Sequence, residues 1–237
     1  MNIKDKIVIV TGASKGIGFA TAKLLADKGA TVILVARSKE LLMKISKEMP
    51  RSLVLTTDMS KPVKVKKMIK DVVKKFGRID VLINNAGQGI YGAVENVDIK
   101  DYESIIKLNV IGPLVAMQQA IPVMRSQGGG VIINISSMVS KAYYPYLGAY
   151  ASTKYALNAL SLTARAELEK DNIVVSVMLP GMTATDFGVN AIKSDKVAHT
   201  MQSRHREGMP EPDSSEYVAQ RILHTIESGK GEVVAHD

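Results

Sequence analysis

The chain predicts a single α/β domain of 237 residues, an open, doubly wound sheet of about seven parallel strands with helices on both faces. Three observations carry this. Short β-branched runs alternate strictly with amphipathic stretches, the rhythm of βαβ units. The runs are apolar almost throughout, with no polar alternate face, as a sheet covered on both sides requires. The length suits one core, whereas two ordinary domains of this total would both be small.

The first strand, residues 6–11 (KIVIVT), is β-branched and runs straight into a glycine-containing turn. A helical pattern over 17–28 leads to the second strand, 31–36 (TVILVA), and another over 39–49 leads to the third, 52–57 (SLVLTT). Across 63–76 the apolar residues Val65, Met68, Ile69, Val72, Val73 and Phe76 recur at helical spacing. The seven lysines of 61–75 therefore decorate the outer face of a surface helix. Strand 79–84 (IDVLIN) is followed by a glycine-containing loop, 87–97, and a helical stretch over 99–126. Strand 131–136 (VIINIS), helix 151–170 and strand 173–179 (IVVSVML) continue the alternation, and helix 214–228 leads into a weaker strand at 232–235. Residues 182–213 break the rhythm with Thr, Gly, Lys, His and the prolines Pro210 and Pro212. An irregular segment of that length is expected to be a substrate lid, because open α/β sheets bind ligands beyond the carboxyl ends of their strands.

Composition excludes several classes. There are no cysteines, hence no disulfide framework, thiolate metal site or catalytic thiol. His199, His205, His224 and His236 show no paired ligand spacing, so no metal is expected. No apolar run approaches the ~20 residues that cross a bilayer, and the start MNIKDKIVIVTG lacks a signal peptide's long apolar region. The expectation is a cytoplasmic protein without a membrane partner. A net charge of +8 suits nucleic acid, an acidic carrier protein or a phosphorylated ligand, and equally suits mere solubility. No aromatic residues alternate with the lysines to stack on bases, so nucleic acid is not expected.

Chemistry concentrates in a few places. The first strand enters Thr11-Gly12-Ala13-Ser14-Lys15-Gly16-Ile17-Gly18. Glycines in a strand-to-helix turn let backbone approach a pyrophosphate, and the helix N-terminus supplies free N–H donors. The spacing G-x-x-x-G-x-G departs from the common G-x-G-x-x-G pattern, and a tight turn alone would use the same residues. No G-K-[ST] follows, which excludes a triphosphatase P-loop. Ala36-Arg37-Ser38 ends the second strand where NAD-binding folds commonly carry an acid for the ribose 2′-hydroxyl. Arg37 and Lys15, with no carboxylate, favour NADP(H) over NAD(H); the plain alternative is two solvated cations. Further on, Ser137 closes a strand, and Tyr150 and Lys154 project one turn apart from one helical face. A lysine near a phenol lowers a pKa that is ~10 in isolation, making the tyrosine a proton donor or acceptor near neutral pH. Ser137 can hold a carbonyl oxygen beside it. Taken alone, Y-x-x-x-K is a common helical pair.

Together the glycine turn, Asn84-Asn85-Ala86-Gly87, Asn109, Ser137, Tyr150 with Lys154, and Pro180-Gly181 resemble the short-chain dehydrogenase/reductase family in order and spacing. The resemblance covers essentially the whole chain and implies a Rossmann-type fold. It implies that Tyr150 exchanges a proton with the substrate oxygen and that Lys154 lowers the pKa of Tyr150 and bonds the nicotinamide ribose. It further implies that Ser137 polarises the carbonyl and that Asn109 holds a water in a proton relay. Gly12, Ser14, Lys15, Ile17 and Gly18 would line the phosphates and adenosine ribose, with Arg37 and Ser38 at the 2′ corner. Asp58, followed by Met59, would bind the adenine amino group, and Asn85, Ala86 and Gly87 would pack along the adenosine half. Pro180, Gly181, Thr183 and Thr185 would grip the nicotinamide carboxamide, Thr183 standing where the family often has Ile or Val.

By position, Gln88, Tyr91, Met138, Tyr143, Met182 and Phe187 are expected to wall the substrate pocket, mainly apolar or aromatic. The function expected is an NADP(H)-dependent oxidoreductase acting on a carbonyl or alcohol. A 3-oxoacyl-thioester reductase is the alternative within the class, and an NADP-binding regulatory protein the alternative outside it. The resemblance also implies a homo-oligomer, tetramer or dimer, built through 99–126 and 151–170.

Overall fold

A computed structural model describes residues 1–193 and 211–236. Its main sheet has seven strands, all parallel: β1 (Ile7–Thr11), β2 (Thr31–Ala36), β3 (Ser52–Thr56), β4 (Val81–Asn84), β6 (Gly130–Ile135), β7 (Ile173–Leu179) and β9 (Glu232–Val234). They lie in the order β3-β2-β1-β4-β6-β7-β9. The direction of winding reverses between β1 and β4, where Val8 pairs with Val81 and Ile9 with Leu82. That reversal opens a crevice at the carboxyl edge of the sheet.

Alternation within each strand feeds two cores. Val8, Val10, Val32 and Leu34 point to one face, where α1 (Gly16–Asp27), α2 (Lys39–Ser46) and α7 (Ser215–Ser228) add Leu25, Leu42, Val218 and Ile222. Ile7, Ile9, Ile33 and Val35 point to the other, against Val65, Met68 and Val72 of α3 (Pro62–Phe76) and Ala116, Ala120 and Met124 of α5 (Gly112–Ser126). Burial on both faces is the physical reason the strands carry no polar alternate side. The lysines of α3 stand outside its buried stripe, as the spacing predicts.

Three features depart from the sequence reading. The stretch 99–126 is α4 (Ile99–Ile106) and α5 joined by one π turn, Lys107–Ile111. By length and composition Ile99–Ser126 is apolar enough to cross a bilayer, a stretch the run-length reading passed over; half of its apolar window is buried in the fold. The loop 87–97 is not wholly irregular: β5 (Ile90–Tyr91) pairs in parallel with β8 (Ile192–Lys193), joining it to the first part of the expected lid. The rest of that lid, 194–210, with Lys196, Arg204 and Arg206, lies outside the described residues. Finally, α6 (Gly148–Glu167) begins three residues earlier than expected, which places Tyr150 inside its first turn.

The amino ends of β1, β4 and β6 are clasped by Asp80, which is 2% exposed. Its Oδ2 accepts from Ile7 N at 2.8 Å, its backbone exchanges hydrogen bonds with Ile7 and Val131, and the Arg78 guanidinium caps the carboxylate. Asp80→Ala would leave a buried N–H without its acceptor. We expect it to cost about 2–4 kcal/mol in urea unfolding, and Asp80→Asn, which keeps the acceptor, to cost less.

Candidate active site

The glycine turn is built around a close approach. Gly12 sits at φ +68°, and a Cβ on Gly18 would lie 2.3 Å from Gly12 O and 2.5 Å from Asn85 Nδ2. No side chain fits there, so the turn folds tightly onto the loop after β4. Thr11 and Asn85 lock the two together. Thr11 Oγ1 accepts from Asn85 N (2.9 Å) and Ala86 N (3.0 Å) and donates to Ile83 O, and Asn85 Nδ2 donates to Thr11 O at 2.9 Å. The N-terminus of α1 carries no side-chain cap and no acidic residue in its first turn. Its free N–H groups and positive dipole end fit a phosphate.

Around this turn the expected cofactor residues fall as follows. Arg37 is exposed at the end of β2, and Ser38 caps α2 by accepting from Leu41 N. Asp58 Oδ1 accepts from Ser60 N (3.0 Å) and Ser60 Oγ (2.8 Å). Burial works to raise the Asp58 pKa, but the Ser60 hydrogen bonds and the charges of Arg37 and Lys61 together hold it below the ordinary value. Met59 is buried beside it. Lys15 does not stand free beside Arg37 as the sequence suggests: it forms an exposed ion pair with Asp186 at 3.6 Å. Thr185 packs over Gly16, so the segment after β7 reaches across the glycine turn. Pro180 O accepts from Met138 N at 3.0 Å, fastening this segment to the loop that follows β6, and Thr183 Oγ1 turns back to Gly181 O.

The catalytic candidates converge at the same edge. Ser137 follows β6 and starts a short 3-10 turn, Met138–Ser140. Tyr150 is buried in α6 near Ser137, whose hydroxyl accepts from Val139 N at 3.3 Å. One turn on, Lys154 is also buried; its Nζ donates to Ile135 O at 2.9 Å and stands 5.8 Å from the centre of the Tyr150 ring. Asn109 sits within the π turn, which turns its amide inward. Its Oδ1 accepts from Gln88 N (3.0 Å), and its Nδ2 donates to Gln88 O (2.9 Å) and Thr153 Oγ1 (3.2 Å). Asn109 thus splints the loop after Gly87 to α6 directly.

The electrostatics correct one expectation. Burial, reinforced by the phenol of Tyr91, pushes the Tyr150 pKa above its ordinary value; the Ser137 hydroxyl is what pulls it down. Lys154, spent on Ile135 O, supplies no such lowering here. Burial pulls Lys154 itself down to about 8.

Among the expected pocket residues, Phe187 packs on Tyr150 with ring centres 5.6 Å apart, within a small apolar cluster that includes Ile90, Ile105, Val139 and Ile192. Tyr91 is half-buried near them, and Gln88 Nε2 donates to Asn190 O. Met138 is half-buried and Met182 is exposed on the rim. Tyr143 departs from the expectation: it is 91% exposed and stacked on Tyr155 rather than beside Tyr150. The sequence reading missed Thr11, Thr153 and Asp186. Thr153, lying between Tyr150 and Lys154, carried a readable signal; Asp186 carried none.

Comparison with known proteins agrees with this geometry. The family description "short chain dehydrogenase" matches residues 6–196. An uncharacterized oxidoreductase of Staphylococcus saprophyticus is 37% identical over 190 residues, 78% of this chain and 77% of that protein. A 3alpha-hydroxysteroid dehydrogenase of Mediterraneibacter gnavus is 36% identical over 200 residues, 79% of this chain and 77% of that protein. A short chain dehydrogenase/reductase of Burkholderia phymatum, solved in complex with NAD, has the same fold: TM-score 0.90 over 100% of this chain and 90% of that one, at 21% identity.

The shifted lysine has a stability signature. The folded state releases the Lys154 proton near pH 8 and the unfolded chain near 10.5, so between those values the unfolded state binds more protons. The contribution of Lys154 to stability therefore rises with pH across that window. Lys154→Met removes it: we expect the stability difference between wild type and variant, from urea unfolding, to shift in favour of wild type between pH 8 and 10. A flat difference would refute the assignment.

Proposed function

On the premise that the chain belongs to the short-chain dehydrogenase family and is an oxidoreductase, we propose that it moves hydride between NADP(H) and a carbonyl or alcohol substrate, with Tyr150 as general acid or base. The observation that carries this reading is the buried Tyr150 ring with the buried Lys154 Nζ 5.8 Å from its centre and Ser137 nearby, at the edge where the glycine turn lies. A nicotinamide seated there supplies or accepts the hydride.

The chain's own groups do the rest. The uncapped start of α1 and the cradle of Gly12 and Gly18 bind the phosphates. Thr185 lies over Gly16 of the same turn, and the Lys15–Asp186 pair ties that turn to the segment after β7. Tyr150, its pKa raised, keeps its proton until a carbonyl oxygen accumulates negative charge, then gives it up. Ser137 donates to the same oxygen and holds it in place. Lys154, near 8, restores the tyrosine's proton at neutral pH. In alcohol oxidation the same proton travels the other way.

Arg37 supports the 2′-phosphate preference: it is exposed at the tip of β2, and Asp58, an acid whose pKa it lowers, is occupied by Ser60. The apolar cluster against Tyr150 supports a carbonyl compound with an apolar body, in keeping with the steroid dehydrogenase among the relatives.

Two measurements test this. By calorimetry, NADPH should bind more tightly than NADH, and Arg37→Ala should remove most of the difference; equal binding by wild type would reject the NADP preference. Tyr150→Phe should lower kcat by about 10²–10⁴-fold while leaving NADPH affinity near wild type. Retained turnover would remove Tyr150 from the chemistry.

A further inference from the structure

Three buried rungs tie the carboxyl end of β6 to α6. Lys154 Nζ donates to Ile135 O at 2.9 Å. Ser136 Oγ reaches the carbonyl of Lys154 at 3.5 Å. The third rung runs through Ser140: its Oγ donates to Ser137 O at 2.6 Å and accepts from Asn158 Nδ2 at 2.9 Å. Ser140 has one proton, and the short contact to a carbonyl uses it. The group facing Ser140 Oγ must then be a donor, which fixes the amide of Asn158 with Nδ2 toward Ser140.

Asn158 follows Lys154 by one helical turn, so it lies on the same face of α6 as Tyr150 and Lys154. It is buried, and its Oδ1 has no hydrogen-bond partner among the described residues. A buried acceptor without a partner weakens a fold, and an apolar side chain of similar size would remove that penalty. The hydrogen bond that the Asn158 side chain donates leads through Ser140 Oγ to the backbone of Ser137.

We propose that Asn158, acting through Ser140, is a positioning residue that holds Ser137 at its working distance from Tyr150. This rests on the reading above, in which Ser137 and Tyr150 meet the substrate oxygen. Without the relay the turn Met138–Ser140 loses its hydrogen-bonded link to Asn158 and keeps the packing of Val139 and the long Ser136–Ser140 contact, while the Ser137 hydroxyl keeps its bond from Val139 N within the loop. The Ser137 hydroxyl lowers the Tyr150 pKa, so moving Ser137 away raises that pKa further.

The experiment compares wild type, Asn158→Leu, Ser140→Ala, Ser140→Thr and Tyr150→Phe. Rates of NADPH oxidation are taken with 4-nitrobenzaldehyde, cyclohexanone and an acetoacetyl thioester, and hydrogen exchange of the amides in 136–141 is followed by mass spectrometry. Asn158→Leu should keep or raise Tm, speed exchange of the Ser140 amide, and lower kcat by about ten- to a hundredfold. Its KM for NADPH should stay within about twofold of wild type and its pH–rate profile should move to higher pH. Ser140→Ala should behave likewise, and Ser140→Thr, which keeps the hydroxyl, should restore most of kcat. Exchange and kcat unchanged in Asn158→Leu would overturn the proposal, as would a loss that follows a fall in Tm and raises the KM for NADPH equally. If Tyr150→Phe retains turnover, the functional reading fails instead. Should none of the probes turn over, hydrogen exchange alone decides: unchanged protection of 136–141 rejects the relay.

Discussion

All strands of the main sheet run in one direction, so whatever polar group ends a strand is delivered to a single edge. Thr11 at the end of β1, Asn85 just after β4, Ser137 after β6 and Pro180 after β7 all meet there. The Thr11–Asn85 hydrogen bonds matter most at this edge. They close the gap between β1 and β4 at the reversal point, and on that closed gap the glycine turn and α1 are aimed. Had the strands been antiparallel, the same residues would lie at opposite ends of the domain.

One physical cause produces both unusual ionisations. Removal from water disfavours the charged form of each group, so it lifts the phenol of Tyr150 and lowers the ammonium of Lys154. The two are driven toward neutrality together, a neutral acid beside a base that titrates near neutral pH. The polar contacts then refine this: Ser137 counters part of the rise at Tyr150, and Ile135 O takes a proton contact from Lys154. The ionisation of Tyr150 is thus set more by burial and Ser137 than by Lys154.

The strands, helices and their order were legible because hydrophobic periodicity is a direct imprint of two-sided burial; Val8 and Ile9 go to different cores, and the pattern shows it. The grouping of Ser137, Tyr150 and Lys154 was legible for a similar reason, since helix spacing and strand ends constrain direction. What was not legible depends on contacts between distant segments. Lys15 turned from Arg37 to Asp186, some 170 positions away, and nothing local announces that partner. Tyr143 stacks on Tyr155, from a different segment, instead of entering the pocket its sequence neighbours suggest. The pairing of β5 with β8 is two residues long, below what periodicity can resolve.

The π turn at Lys107–Ile111 sets a limit on how this gene can vary. A π turn is in effect one residue more than an α-helix needs over the same span. Losing any one of the four residues beside Asn109 would regularise the rod. The ends of that rod are anchored, α5 against the sheet and α4 beside α6, so the regularised segment would turn Asn109 by about 100° on its axis. The amide would leave Gln88 and Thr153 while the helix itself became more regular. A length change that improves the local element therefore disassembles the splint beneath the loop, and the helix's residue count is as much a part of the site as any side chain in it.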